Sequence, residues 1–348
     1  MRVAIRIAFL VVGDELRSGE HASRRVPGPE FIAPQVGMFE KLILQPNSSV
    51  GSRVRKFRQA LEKGLPFLRK ENGLIFLCGA NKDINTPSKR REAVKRFIES
   101  CSQDYRVVYA EPFFEEFSKE NSRRKEFNLL DLEDDISSIS DLIIIILESP
   151  GSICELGAFS RALFRSKLVV INNSDYLNQD SFINGGPLKA VSDGKGRVLW
   201  YEMRSNGITQ LDGIGSVFAD IGKILSLTLG RKTRSRVPKI IPLGVDKPSL
   251  YFIHDVIHFM GPVSYTEIVK FLIALFGPNG SYDALKKILA ILKSSEMVCS
   301  REVSTGNGKK GWVYRALSKE TYLDYEFDTY PLIASMRREN FLRNPWRF

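Results

Sequence analysis

Six consecutive aliphatic residues, Leu142 through Leu147, stand between Asp141 and Glu148. A run that is apolar at every position is what a strand needs when both faces of a parallel sheet are covered. Pro150 and Gly151 then mark a tight turn, and Ile153, Leu156, Phe159 and Leu163 recur at helical spacing. Strand, turn and helix in that order place the turn at the carboxyl edge of an open sheet. Such folds take their ligands there, with anionic groups at the helix N-terminus. The same alternation repeats on both sides of this segment. Upstream it predicts a strand over 74–78 ending in Gly79-Ala80-Asn81, and a helix over 88–100 with Val94, Phe97 and Ile98 inward. A strand over 105–110 follows, ending in Glu111-Pro112-Phe113-Phe114, then a helix over 129–139 with Leu132, Ile136 and Ile139 on one face and Glu133 and Asp134 beside them. Downstream come a strand over 168–171, a loop over 180–187, a strand over 198–201 and a helix over 214–229. Strands alternating with helices predict an α/β domain over 73–230 built on a doubly wound parallel sheet. Right-handed crossovers then bring Gly79, Glu111, Ser149 and Gly151 to one pocket.

The flanks read differently. Residues 1–50 form a poorly patterned extension in which Val26-Pro27-Gly28-Pro29 and Ala33-Pro34 argue against regular structure. Met38 reads as an alternative start, which would make the preceding 37 residues dispensable. Over 51–72 a basic amphipathic helix is expected, with Val54, Phe57, Leu61, Leu65 and Leu68 apolar among Arg and Lys. It is either a solvated helix packed on the α/β domain or a nucleic-acid contact. A basic linker covers 231–248. Helices over 249–260, 265–276 and 282–294 are separated by Gly261-Pro262 and Gly277-Pro278-Asn279-Gly280, and two alternating stretches over 297–303 and 311–317 flank a Gly- and Lys-rich tip. Three helices and a basic hairpin over 249–320 predict a small winged-helix, DNA-binding-like domain. The tail, 321–348, is rich in Arg and carries Phe341, Trp346 and Phe348. It either docks on a partner, stacks on bases or packs home.

Charge sharpens this division. The 348 residues carry a net charge of +11, distributed as +7 over 1–70, −4 over 71–230 and +8 over 231–348. The polyanion contacts are therefore expected at the ends, with Lys286, Lys287, Lys309 and Lys310 as the nucleic-acid lysines of the winged helix. Four separated cysteines without a Cys-x-x-Cys spacing point to a reducing, cytoplasmic setting and no zinc site. No apolar run approaches the roughly 18 residues of a membrane helix.

Glu155 is the candidate catalytic residue, since it lies just past the turn that follows the central strand. Ser152-Ile153-Cys154-Glu155 also has the form of a capping box, in which Ser152 caps the helix and Glu155 reaches back. Both roles stand open on the sequence. The three histidines are His21, His254 and His258, so the α/β domain offers none for Ser-His-Asp or Cys-His chemistry. His254 and His258 share a helix face without a third ligand and are read as structural. Neither a G-x-x-x-x-G-K-[ST] loop nor G-x-G-x-x-G is present, which disfavours ATP hydrolysis and dinucleotide redox chemistry.

Phe76-Leu77-Cys78-Gly79, Leu129-Leu130-Asp131-Leu132-Glu133, Glu148-Ser149-Pro150-Gly151-Ser152 with Glu155-Leu156-Gly157-Ala158-Phe159-Ser160, and Ser181-Phe182-Ile183-Asn184 with Gly186-Pro187 together resemble the effector proteins of type II retrons. The likeness covers roughly residues 73–320. It implies a nucleoside deoxyribosyltransferase-like domain, Rossmann-like in architecture, followed by a winged helix. It further implies N-glycosidic cleavage of NAD, as substrate and not as cofactor, to nicotinamide and ADP-ribose, with Glu155 acting at the anomeric carbon. Gly79, Asn81, Glu111, Glu133, Glu148, Ser149, Gly151, Ser152 and Asn184 are expected to bind substrate, and no metal is expected. Ser149 stands where the nucleoside enzymes carry an aspartate, which weakens a nucleoside-transfer reading. The implied partners are a retron reverse transcriptase and its msDNA, a branched RNA-linked single-stranded DNA. They would hold the enzyme inactive in an anti-phage defence assembly of higher order, without a membrane. Two other classes stay open: a nucleoside or nucleotide deoxyribosyltransferase or hydrolase, and a non-enzymatic DNA-binding regulator.

Overall fold

The aliphatic run is the middle strand of a five-stranded, wholly parallel sheet. The computed structural model describes residues 38–348 except 69–72, 84–85, 121–127, 230–234, 241 and 305–309. The expectations for the first 37 residues and for Lys309 lie outside the described residues.

The chain enters through helices α1 (Met38–Leu44) and α2 (Ser49–Lys63) and a short strand β1 (Phe67–Leu68). The sheet begins with β2 (Gly73–Cys78), followed by helix α3 (Lys89–Cys101), strand β3 (Tyr105–Val108), and helices α4 (Ala110–Glu120) and α5 (Leu129–Ile139). Strand β4 (Leu142–Ile146), helix α6 (Pro150–Phe159), strands β5 (Leu168–Asn173) and β6 (Arg197–Tyr201) and helix α7 (Phe218–Leu229) complete it. Strand order is β3-β2-β4-β5-β6. The crossover from β2 to β3 runs one way and the next runs back to β4, so the connections reverse between β2 and β4. In open α/β sheets that switch point opens a crevice at the strands' carboxyl ends. The period of two explains why these strands are apolar throughout. Leu74, Phe76, Cys78, Ile143 and Ile145 face Phe113, Ile136, Leu156 and Phe159 of α4, α5 and α6. Ile75, Leu77, Ile144 and Ile146 face Val94, Ile98, Ile221 and Leu225 of α3 and α7.

Two boundaries differ from expectation. Glu111 sits in the first turn of α4 and not in a loop, because the strand ends at Val108. Residues 184–187, the end of the stretch over 180–187 read as a loop, wind into a π-turn (Asn184–Leu188) that runs on into a short helix (Lys189–Asp193), burying Leu188 and Val191.

Beyond strand β7 (Ser235–Arg236) come helix α8 (Lys247–Met260), strand β8 (Val263–Ser264), and helices α9 (Tyr265–Phe276) and α10 (Leu285–Ser294). Strands β9 (Val298–Ser304) and β10 (Lys310–Ala316), a short β11 (Leu323–Asp324) and helix α11 (Tyr330–Arg343) end the chain. A three-stranded antiparallel sheet, β8-β10-β9, lies against the helices, and a second, β11-β1-β7, joins three distant segments. The N-terminal helices correct the expected plan. Residues 38–44 are helical, with Phe39 and Ile43 buried, rather than unpatterned. Helix α2 lies against α9 and α11. Phe57 sits with its ring 5.5 Å from Phe259, 6.3 Å from Phe271, 5.8 Å from Tyr325 and 5.4 Å from Phe327. The tail packs home only in part: Leu332 and Met336 are buried and Arg347 pairs with Glu267 at 2.6 Å, while Phe341 and Phe348 stay 52% and 50% exposed. His254 and His258 lie within the buried helix α8, where His254 Nδ1 is 3.0 Å from Asp255. Asp255 in turn accepts from the backbone of Tyr322 and Leu323 at 2.7 and 3.0 Å.

One apolar cluster runs unbroken from the sheet face under α4–α6 into α8–α10 and α2. Helix α10 lies along α4. Lys287 donates to Asp135 at 2.6 Å, Lys293 pairs with Glu116, Lys247 with Asp141, and Lys95 with Glu296 at 2.9 Å. Among the described residues no helix is long and apolar enough to cross a membrane.

Candidate active site

The start of α6 decides what Glu155 is free to do. Ser149, extended at φ −154° and ψ 160°, is the N-cap, and its hydroxyl accepts from Ser152 N–H at 3.2 Å. Ser152 Oγ accepts from the backbone N–H of Glu148 and of Ser149, both at 3.1 Å. The cap is therefore closed by Ser149 and Ser152, three residues earlier than the Ser-x-x-Glu pattern places it. Pro150 takes the first helical position, where its missing N–H costs nothing. Pro150 and Gly151 thus open the helix and do not form the expected turn. Glu155 falls in the second turn, outside the cap, and its Oε2 is buried without a hydrogen-bond partner.

Four other groups face it across the end of β2. Glu133 comes from α5, Glu111 from α4, Arg91 from α3 and Cys78 from β2 itself; each interacts with Glu155 or with one another through charge. Arg91, 1% exposed, is the fixed point. It donates to Glu111 through both ends of its fork, at 2.7 and 3.1 Å, to Asn81 Oδ1 at 2.7 Å and to Leu77 O at 3.0 Å. Its guanidinium lies 4.5 Å over the Tyr109 ring. Burial raises the Glu111 carboxyl, but the Arg91 bonds outweigh it and hold Glu111 below the usual range. Among the described residues no such partner holds Glu133: burial, then Glu111 and Asp134, push it up to about 7. Burial and then Glu133 push Glu155 up to about 8, against a lesser opposing pull from Arg91. Burial and the same carboxylates raise the Cys78 thiol well above its ordinary value, so it is no thiolate nucleophile. Among the described residues the arrangement is three carboxyl groups around one guanidinium, an environment that favours an incoming cation.

The remaining expected site residues divide. Asn81 and Glu111 join the cluster through Arg91, and Ser149 and Ser152 form the cap beside it. Glu148 is withdrawn from substrate: its side chain is fully buried, accepting from Ala80 N–H at 3.0 Å, Ser88 Oγ at 2.5 Å and Arg90 Nη1 at 3.0 Å. Gly79, at φ +155°, leaves room for this: a Cβ there would stand 2.9 Å from Glu148 Oε1 and 3.0 Å from Arg91 Cδ. Asn184 donates to Tyr176 O at 2.6 Å and Gln179 O at 2.7 Å, holding its own loop. Of the nucleic-acid lysines, Lys287 is paired with Asp135 and Lys310 with Glu302 at 3.1 Å, while Lys286 lines a cavity beside α4.

Arg90, Arg91 and Asp212 were not expected. Arg90 links Glu148 to Asp212, donating to Asp212 Oδ2 at 2.6 and 2.9 Å, and all three side chains are almost wholly buried. A signal was present: Arg90 precedes Val94 and Ile98 at i, i+4 and i+8, so the helix period alone turns it inward.

With this geometry in place, comparison with known proteins gives a consistent answer. Residues 87–300 match the family model described as STM3845 retron effector protein. From Escherichia coli, the "Retron Ec73 putative ribosyltransferase/DNA-binding protein" is 38% identical over 279 residues, 78% of this chain and 85% of that protein. The "Retron Ec86 putative ribosyltransferase/DNA-binding protein" of the same organism is 35% identical over 118 residues, 34% of this chain and 36% of that protein. The class defined by this α/β sheet with its appended helical part is thus a retron effector. The chain belongs to the STM3845 retron effector family.

Proposed function

We propose that this chain is an N-glycosidase that cleaves NAD to nicotinamide and ADP-ribose, the toxic arm of a retron anti-phage system. The observation that carries the reading is Glu155 Oε2, buried and unpartnered among Glu133 and Glu111. The nicotinamide of NAD is a pyridinium, and its positive charge suits a site with three carboxyl groups and one guanidinium. The cation would lower the pKa of Glu155 and leave it ionised beneath the sugar. As the C1′–N bond breaks, its electron pair goes to nicotinamide, which departs neutral. The Glu155 carboxylate stabilises or traps the oxocarbenium-like carbon, and water then delivers hydroxide to C1′, giving ADP-ribose. Glu133, titrating near 7, would take the water's proton. Glu111, ionised and bound to Arg91, keeps lone pairs for ribose hydroxyls. The names of the relatives support glycosyl transfer as the reaction class.

The proposal extends to the assembly. The C-terminal helices and hairpin act as a winged helix, and the retron reverse transcriptase with its msDNA holds the enzyme inactive in a larger oligomer. The +8 charge beyond residue 230 supports a polyanion partner. A second reading, transfer or hydrolysis of deoxynucleosides, is tested in the same assay. Purified protein is incubated with NAD and with deoxynucleotides, and the products are separated by chromatography. Wild type is expected to release nicotinamide, and Glu155→Gln to release none while melting within a few degrees of wild type. More than a tenth of the wild-type rate in Glu155→Gln would remove Glu155 from the reaction, and base release from deoxynucleotides alone would favour the second reading.

A further inference from the structure

A cavity of about 630 Å³ lies between α4 and the C-terminal sheet, within the roughly 300–1,000 Å³ usual for ligand sites. Its wall carries Trp312, Tyr265 and Tyr314, with Lys286 and Lys293 from α10 and Glu116 from α4. Trp312 stands on β10 and is 54% exposed, so about half of its side chain is open to solvent. Lys293 Nζ lies 5.7 Å from that ring. Neighbouring Gly311 leaves the wall clear, since a Cβ there would meet nothing within 4 Å.

We infer that this cavity binds one nucleotide unit of a single-stranded nucleic acid, its base on Trp312 and its phosphate at Lys286 and Lys293. The inference rests on the reading that this chain contacts nucleic acid, and is independent of the N-glycosidase reading. Two observations carry it. An exposed aromatic face beside ammonium groups is how proteins hold single strands, because every base has a π-face and every nucleotide a phosphate. A duplex is disfavoured because α10, the helix a winged-helix protein would lay in a major groove, is already packed along α4 with Lys287 on Asp135 and Lys293 on Glu116. A strand end or a turned-out nucleotide enters the cavity without undocking that helix. Among the described residues Glu116 is the one carboxylate in the wall; an arriving phosphate competes with it for Lys293.

The test is fluorescence anisotropy on the full chain with a labelled oligo-dT, with unlabelled duplex of the same length and dTMP as competitors. Stacking is typically worth about 1–3 kcal/mol per base, so Trp312→Ala is expected to weaken the strand about tenfold or more. Trp312→Phe, which keeps an aromatic face, should stay near wild type, and Glu116→Gln should tighten binding severalfold. Competition by the strand but not by dTMP assigns the pocket to a chain; equal competition by dTMP assigns it to free nucleotides with the same chemistry. Trp312→Ala binding within twofold of wild type, or duplex competing as well as the single strand, overturns the inference. If wild type binds no nucleic acid at all, the reading beneath it falls as well, whereas nicotinamide release is unaffected by either result.

Discussion

Glu155 has no cap to close and no bond to its buried oxygen, so its environment is governed by burial and by like charges. That has a consequence for stability that is separate from activity. The carboxyl is held at about 8 in the fold against an ordinary 4.5. Below pH 4.5 it is neutral in both folded and unfolded chains, and its contribution is fully present. As pH rises from there through about 8, the unfolded chain releases the proton while the folded chain must keep it or bury a charge, so stability is lost. Glutamine does not titrate. The melting temperature of Glu155→Gln should therefore match wild type at pH 5 and exceed it by at least about 2 °C at pH 9, taking about 1 kcal/mol after allowance for partial exposure. A constant difference across pH, measured by differential scanning fluorimetry, would mean that the carboxyl is solvated and ordinary.

At the scale of elements, α3 and the switch-point loops form one electrostatic unit. Its N-terminal arginines reach opposite faces of the sheet: Arg90 closes a buried Glu148–Arg90–Asp212 triad on the α7 side, while Arg91 anchors Glu111 on the α4–α6 side. Removing one member of such a group leaves unpaired buried charge, which typically costs about 3–5 kcal/mol. Arg90→Met is expected to lower the unfolding free energy measured in urea by about 3–5 kcal/mol, since it strands two carboxylates whose side chains are fully buried. A loss below about 1 kcal/mol would indicate that Glu148 or Asp212 takes up a proton or water cheaply. Much of this unit was legible in sequence. The strand, the loop at Gly79 and the helix period of α3 all read correctly. Its pairing did not, because Arg90 and Asp212 are 122 positions apart and periodicity gives a face, not a partner.

For the whole molecule, the linear plan of successive modules gives way to a shared core. Helix α2 brings Phe57 against Phe259 and Phe271 of the C-terminal helices and against Tyr325 and Phe327 of the tail, and the same apolar cluster continues into the sheet. Phe57→Ala removes a ring that is 4% exposed and should cost about 3–5 kcal/mol. Because the core is continuous, far-UV circular dichroism and Trp fluorescence are expected to shift together in one urea transition. Two separated transitions would show that the sheet and the helical part unfold independently.

The sequence by itself determined the strands of the parallel sheet and most of the helices between them: a short all-apolar run bounded by turn signals reads as a strand covered on both sides, and helical spacing selects the residues that turn inward, whereas the helices over 38–44, 110–120 and 330–343 were not read from it. It also placed Glu155, Glu111, Ser149, Gly151 and Gly79 at one edge, because strand–helix alternation with right-handed crossovers leaves the carboxyl ends together, while Glu133 was brought in by the family likeness alone. Only the tertiary structure decided which of those groups are already satisfied. Ser149, not Ser152, takes the helix cap, since the chain bends one turn earlier than the Ser-x-x-Glu pattern allows. Glu148 is bound by Arg90 and Ser88, and Lys287 by Asp135. Such pairings join residues that are distant along the chain, and their strength depends on burial that exists only after the sheet, α3 and α10 have packed. The same packing leaves Glu155 Oε2 without a partner, and that absence of a bond is the property on which the proposed chemistry rests.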